Sequence, residues 1–208
     1  MEEKTKYILE RVSSLFLKYG IRSVTMDDVS REAGISKKTL YQFFKDKEDL
    51  VEQTISLFMC QNLYLKAKSE SINAIDSLIT LRNHVAQIMK HYNNNLEFEL
   101  KKYYPSQYEK LKTHKRNDIY EGTLDNINQG IYEGFYRKGI DVEFVAKLQV
   151  GRMLCTMNPD TGIFDEREIM SLEIFDKAIE YHLRAICTEK GLNYFLKQIN
   201  KIKYEKNN

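Results

Sequence analysis

Apolar side chains recur every three to four positions along most of the 208 residues, the spacing that lays one side of an α-helix against a core. Tyr7, Ile8, Val12, Leu15, Phe16 and Tyr19 form the first such stripe and predict a helix of about sixteen residues, stopped by Gly20 in a C-terminal capping position. Thr25 then offers a hydroxyl cap to "MDDVSREAG", with Asp27 and Asp28 in the first turn and Gly34 at the end, which predicts a short second helix. Ser36 opens a third, "KKTLYQFF", and Asp46 with Asp49 opens a fourth whose inner face is Leu50, Val51, Thr54, Ile55 and Phe58 and which is predicted over 47–68. The polar stretch "SESINAIDS" reads as a junction. Beyond it the pattern predicts a helix through Leu78, Leu81, Val85, Ile88 and Tyr92, a break at "NNN", and a short helix "LEFELKKYY". A long helix then runs from Pro105 to about Tyr136, and another, capped by Asp141, passes through Val145, Leu148, Arg152 and Cys155. Pro159 and Gly162 interrupt the chain before a helix from Asp165 to Thr188, and Gly191 precedes a basic tail that closes in a short helix. The expectation is an all-α protein of about nine to ten helices. It has a small domain over residues 1–48, a connecting helix over 47–68 and a larger domain over 69–208.

Composition narrows the function. Two prolines and nine glycines leave long helices uninterrupted. A net charge of +2 is too small to imply nucleic acid or membrane by itself, so any such argument is local. No apolar run approaches the roughly 18 residues of a membrane span, and "MEEKTKYILERV" is charged where a signal peptide is apolar, so a cytoplasmic protein without a membrane partner is expected. Cys60, Cys155 and Cys187, widely spaced in apolar surroundings, read as reduced core residues. His84, His91, His114 and His182 show no metal-ligand spacing, and no G-x-S-x-G, phosphate-binding loop or dinucleotide fingerprint occurs. Neither a cofactor nor an enzyme is expected.

The local chemistry sits in "GISKKTLYQFFKDKEDL", residues 34–50. Two short helices joined by a three- or four-residue turn containing glycine make a helix-turn-helix. Met26, Val29 and Ala33 give the second helix its inner face, Ile35 plugs the turn, and Leu40 and Phe44, four apart, point the third helix at the same core. Its opposite face then carries Lys37, Lys38 and Tyr41, with Thr39 and Gln42 at the flank. These residue types suit DNA: Lys for phosphate or guanine, Gln for adenine, Thr for a thymine methyl, Tyr hydroxyl for phosphate. Thr25 and Ser36 each place free helix amides where a phosphate could sit, and Lys45 and Lys47 extend the positive edge. Residues 36–47 hold four lysines against Asp46, a net of +3. A solvated basic face is the plain alternative, and a helical adaptor using that face on a protein partner is another. The conjunction of tight turn, capping serine, paired lysines and tyrosine favours DNA.

"VTMDDVSREAGISKKTLYQFFKDKEDL" resembles the N-terminal signature of TetR/AcrR-type bacterial transcriptional regulators, in the Ala33-Gly34-Ile35-Ser36 turn, the Thr39-Leu40-Tyr41 triplet and the run from Phe44 to Glu48. The resemblance covers roughly residues 5 to 60. It implies a three-helix DNA-binding domain, linked by the fourth helix to a helical effector-binding and dimerisation domain, in a ligand-responsive repressor that binds a pseudo-palindromic operator as a homodimer. Carried over residue by residue, it implies phosphate contacts at Thr25, Tyr41 and Lys47, and puts Ser36, Lys37, Lys38 and Thr39 at the start of the helix that enters the major groove. Lys38 stands where a small residue is frequent, Ser30 where alanine is, and Phe43 where a His or Tyr often reaches phosphate; Phe43 cannot donate that hydrogen bond.

The family packs its last two long helices into a four-helix bundle between subunits. On those helices Val145, Leu148 and Arg152, with Ile169, Leu172, Phe175, Ile179, Leu183 and Ile186, supply apolar rows for a partner or for the subunit's own core. For a small-molecule effector, His84, Met89, Tyr92, Phe98, Tyr103, Tyr104, Tyr120, Tyr132, Phe135 and Met153 are the candidate pocket residues. Such a stripe is more often plain core, but buried tyrosine hydroxyls need partners, and this ring-rich, carboxylate-poor set points to an aromatic or lipophilic effector. Gly122, Gly130 and Gly134 mark either a close approach on the long helix or space left for that ligand.

Overall fold

A computed structural model describes residues 3–90, 95–156, 158, 161–169 and 171–206. These form twelve α-helices: α1 Glu3–Tyr19, α2 Met26–Glu32, α3 Lys37–Phe43, α4 Lys47–Met59, α5 Leu63–Ser69, α6 Ala74–Met89, α7 Asn95–Tyr103, α8 Pro105–Tyr132, α9 Val142–Thr156, α10 Glu166–Ile169, α11 Leu172–Ile186 and α12 Glu189–Lys206. The only β-type pairing among the described residues is an isolated bridge between Tyr136 and Cys187. No helix among them is long and apolar enough to cross a membrane.

Most boundaries fall where caps predict them, and the departures have local causes. The helix expected over 47–68 ends at Met59, where the Cys60 amide turns back to the carbonyls of Ser56, Leu57 and Phe58, and α5 starts afresh at Leu63. The helix expected from Asp165 to Thr188 is broken at Ser171, whose hydroxyl accepts from the Ile174 amide and caps α11. The helix from Pro105 stops at Tyr132 rather than Tyr136, because the Gly130 carbonyl accepts from both Phe135 and Tyr136 and Gly134 takes φ +75°. The basic tail forms an 18-residue helix, longer than expected.

The chain folds into two compact units that do not follow chain order: Met1–Asn62 with Gln87–Lys115, and Leu63–Ala86 with Arg116–Asn208. In the first, Ile8, Leu9, Val12 and Phe16 of α1 pack with Val29, Leu40, Phe44, Leu50 and Val51, and Leu96 and Leu100 of α7 join them. Gly20 ends α1 at φ +80°, and its Cα faces the Glu99 carboxylate. The second unit packs Ile75, Leu78 and Leu81 of α6 with Ile127, Tyr136, Phe175, Leu183, Ile186 and Phe195. A β-carbon at Gly122 would overlap the Tyr64 ring, and one at Gly130 the Tyr136 ring. The room beside these glycines is therefore filled by the chain's own aromatic side chains.

Candidate functional site

The two helices of the turn are set by local hydrogen bonds. The Thr25 hydroxyl accepts from the Asp28 amide (3.2 Å) and donates to the Asp28 carboxylate (2.6 Å), which also accepts from the Thr25 amide (2.9 Å). This reciprocal cap satisfies two otherwise orphaned donors of α2, and the bonds from Thr25 hold the Asp28 carboxyl below its ordinary pKa. Gly34 takes φ +66° with open space around it, so conformation rather than crowding selects glycine. The Ile35 amide donates to the Ser30 carbonyl (3.0 Å), and Ser36 caps α3 by accepting from the Thr39 amide (3.0 Å).

Leu40 and Phe44 are fully buried, which turns the far side of α3 outward. Ser36, Lys37, Lys38, Tyr41 and Gln42 are exposed there and Thr39 is partly so, which brings six of the eight sequence-predicted DNA residues onto one short helix and its cap. They differ in readiness. The Ser36 and Thr39 hydroxyls bond each other (2.8 Å). Lys37 pairs with Asp27 at 2.9 Å, and that hydrogen bond raises its pKa. Lys38 has no ion pair among the described residues. Thr25 is exposed at the start of α2, while Lys47, at the start of α4, is partly buried. Lys47 donates to the Arg22 carbonyl at 3.3 Å, and burial pulls its pKa down.

Phe43 is partly buried beside the Phe44 ring, with centroids 6.4 Å apart, and the Lys4 ammonium lies 5.5 Å from its centroid. The side chain that cannot itself reach a phosphate thus holds a lysine in place by a cation–π contact. Sequence reasoning overlooked Lys4, because nothing in the spacing of α1 and α3 pairs them. It also overlooked Arg22, whose amide donates to Glu99 (3.0 Å) and whose guanidinium donates to the Tyr103 hydroxyl (2.8 Å) while lying over the Tyr103 ring.

The candidate pocket residues do not come together. Phe98, Tyr103 and Tyr104 belong to the first unit, as does Met89. Phe98 is exposed beneath Lys102, and Tyr104 packs against the core of α1 and α4. In the second unit His84 bonds Glu70 (2.7 Å), Tyr132 is 93% exposed, Phe135 stacks on Tyr194 and Tyr120 is partly buried. Tyr92 lies outside the described residues. Met153 alone of the set lines the cavity of the second unit, with Tyr64, Leu78, Leu81, Thr123, Asn126, Gln149, Phe175, Ile179 and His182.

The expected interface rows divide as well. Phe175, Ile179, Leu183 and Ile186 are buried in their own unit's core and are not available to a partner, and Ile169 is also buried. Leu148 is 57% exposed, and Val145 and Leu172 are partly buried. Arg152 turns inward, donating to the Ala178 carbonyl and to Gln149. The large apolar residues exposed on α9 and α11 are Phe144, Leu148 and Tyr181.

Residues 8–54 match the model of the tetR family of bacterial regulatory proteins, a span that contains the whole helix-turn-helix. The HTH-type transcriptional repressor KstR2 of Mycobacterium tuberculosis is 25% identical over 148 residues, covering 66% of this chain and 72% of that protein. The uncharacterized HTH-type transcriptional regulator YvaF of Bacillus subtilis is 31% identical over 102 residues, covering 48% of this chain and 53% of the relative. Among solved structures, a transcriptional regulator from Cytophaga hutchinsonii superposes with a TM-score of 0.70 at 21% identity, over 90% of this chain and all of that one. Reduced NemR of E. coli does so at 0.65 and 14% identity, over 89% and 98%. These two likenesses speak to the fold, and the match over residues 8–54 speaks to the site. Residues 8–54 are thus a helix-turn-helix of the tetR family of bacterial regulatory proteins, and with repressors among the relatives matched over two thirds of the chain, the protein is a DNA-binding transcriptional regulator rather than an enzyme.

Proposed function

We propose that the protein is a ligand-responsive repressor that acts in the cytoplasm as a homodimer on a pseudo-palindromic operator. The exposed face of α3 carries the reading: Lys38, Tyr41 and Gln42 project from a helix whose other side is locked by Leu40 and Phe44. Lys38, Thr39 and Gln42 face base edges, while Thr25, Tyr41 and Lys47 position the helix on phosphate, with Ser36 and Lys37 at its N-terminal edge. Lys37 exchanges Asp27 for a phosphate when DNA binds, an exchange of like contacts that costs little at the surface.

Two half-sites one helical turn apart, about 34–36 Å, call for two copies of α3. Phe144, Leu148 and Tyr181 give the second unit an exposed apolar surface for the second copy. The roles divide between a DNA-binding portion, residues 1–48 with α4 following, and an effector-binding and dimerisation portion over residues 69–208. An effector relieves repression only as far as it prefers the conformation with wrongly spaced recognition helices.

A gel-shift titration with DNA flanking the gene, at two salt concentrations and against random duplex, tests the reading. A held pseudo-palindromic site with steep loss in salt is the expected result. Equal binding to random duplex would overturn it.

A further inference from the structure

The cavity of the second unit has an uneven wall. Leu78, Leu81, Met153, Phe175 and Ile179 form an apolar side, while Tyr64, Thr123, Asn126, Gln149 and His182 form a polar one. The polar residues come from α5, α8, α9 and α11, so four separate helices aim hydrogen-bonding groups at one small space. Most are already engaged: Asn126 bonds the Ala74 carbonyl and the Tyr136 hydroxyl, the Tyr64 hydroxyl bonds Thr123, and the Gln149 carbonyl accepts from Arg152. His182 is the exception. It is 8% exposed, lines the cavity and makes no hydrogen bond among the described residues. Buried polar groups in folded proteins are nearly always satisfied, so an unpartnered imidazole facing a cavity points to a ligand group that meets it.

Charge gives the sign of that group. Two arginines, Arg82 of α6 and Arg152 of α9, lie on helices that wall this space. Arg82 is neutralised by a bidentate pair with Asp176, at 2.6 and 2.7 Å. Arg152 is inward-facing, its guanidinium is desolvated, and among the described residues it bonds only a carbonyl and an amide, with no carboxylate. Its positive charge is felt by both Tyr64 and His182. A partly buried guanidinium without an anion is costly, and buried charges are as a rule paired. Asp118 lies within electrostatic reach of Tyr64, on the α8 side, and has a partner of its own.

We propose that this cavity receives an organic monoanion with an apolar body, a carboxylate whose charge is matched by Arg152 and whose second oxygen accepts from His182, with the body against Leu78, Leu81, Met153, Phe175 and Ile179. This rests on the ligand-responsive reading above and gives its effector a chemical class. The enclosed space is about 10 Å³, room for about one water molecule. A ligand therefore enters by displacing side chains, and Met153, unbranched and conformationally adaptable, is the residue on the apolar wall best suited to yield.

The test measures binding to the full-length chain in the absence of DNA, by calorimetry and thermal shift. The probes are octanoate, decanoate and 3-phenylpropionate, each against its matching primary alcohol. The expected result is saturable binding of at least one acid, about tenfold or more tighter than its alcohol, and loss of that preference in Arg152→Gln. Arg152→Lys, which keeps the charge, retains part of the preference and serves if the Gln variant fails to fold. Acid and alcohol binding alike, an unchanged preference in Arg152→Gln, or no binding of any acid in the panel would each overturn the proposal. The gel shift without ligand separates the two readings. Operator binding by a chain that ignores carboxylates sinks only the effector class, whereas carboxylate binding by a chain with no DNA preference sinks the repressor.

Discussion

Lowering the pH from about 7.5 to 5 should remove about 2 kcal/mol of folding stability through His182 alone. Burial, and secondarily the Arg152 charge, pull its imidazole from the ordinary 6.5 down to about 4 in the folded protein. The unfolded chain exposes the same ring near 6.5, so between these values the unfolded state binds the proton and the folded state refuses it. Stability therefore rises with pH across this window: the deficit is absent above about 6.5, grows as the pH falls, and levels below about 4 at roughly 3 kcal/mol. Urea unfolding of the wild type and of His182→Gln at about pH 7.5, 6 and 5 isolates the contribution, because the other histidines cancel in the difference. The wild type should lose about 2 kcal/mol more than the variant by pH 5. Parallel pH profiles would mean that the folded protein protonates the ring as readily as the unfolded chain does, and would refute the downward shift attributed to its burial. A carboxylate bound beside the ring should shrink the difference, since it favours the imidazolium.

Further outcomes are fixed by geometry. Gly191→Ala places a methyl against the Phe135 carbonyl oxygen, a backbone atom that cannot swing aside, so the midpoint of denaturation should fall by the equivalent of about 2 kcal/mol. Thr25→Ala removes the reciprocal cap of α2 and should cost about 1 kcal/mol of stability, with weaker DNA binding in a gel shift. Lys38→Ala should relax discrimination at one operator position by about 1–3 kcal/mol. Lys47→Ala should instead weaken all sequences alike and reduce the salt slope by about one. If both variants weaken every site equally, Lys38 touches only phosphate.

The helix-turn-helix was legible because its determinants are local. Thr25, Ser36 and Asp46 cap helices by bonding residues three positions away, and Leu40 and Phe44 share a face by helical period, so sequence spacing carries the information. The end of α4 was not, since neither glycine nor proline marks Cys60 and the turn is made by its amide alone. The helix faces of the second unit were hidden for a different reason. Phe175, Ile179, Leu183 and Ile186 form one apolar stripe whether it meets the subunit's core or a second copy, and only packing decides. The cavity was hidden because its polar wall gathers Tyr64, Thr123, Gln149 and His182, far apart in the chain. The conspicuous tyrosines Tyr103 and Tyr104 belong instead to the first unit.

The corner at Arg22 bears on how the molecule can be cut. Its amide, guanidinium and carbonyl are held by Glu99, Tyr103 and Lys47 respectively, and Leu96 and Leu100 close the core beside α1 and α4. A fragment ending at Asn62 would keep every residue proposed to touch DNA and still lose the acceptor for the Arg22 amide and the apolar cover from α7. Such a piece should be loosened or insoluble, and should regain helical signal and thermal stability when a peptide spanning residues 87–115 is added back. The compact unit that carries the DNA-facing helix is discontinuous in sequence, so a fusion or domain swap that joins partners after α4 divides one folded body in two.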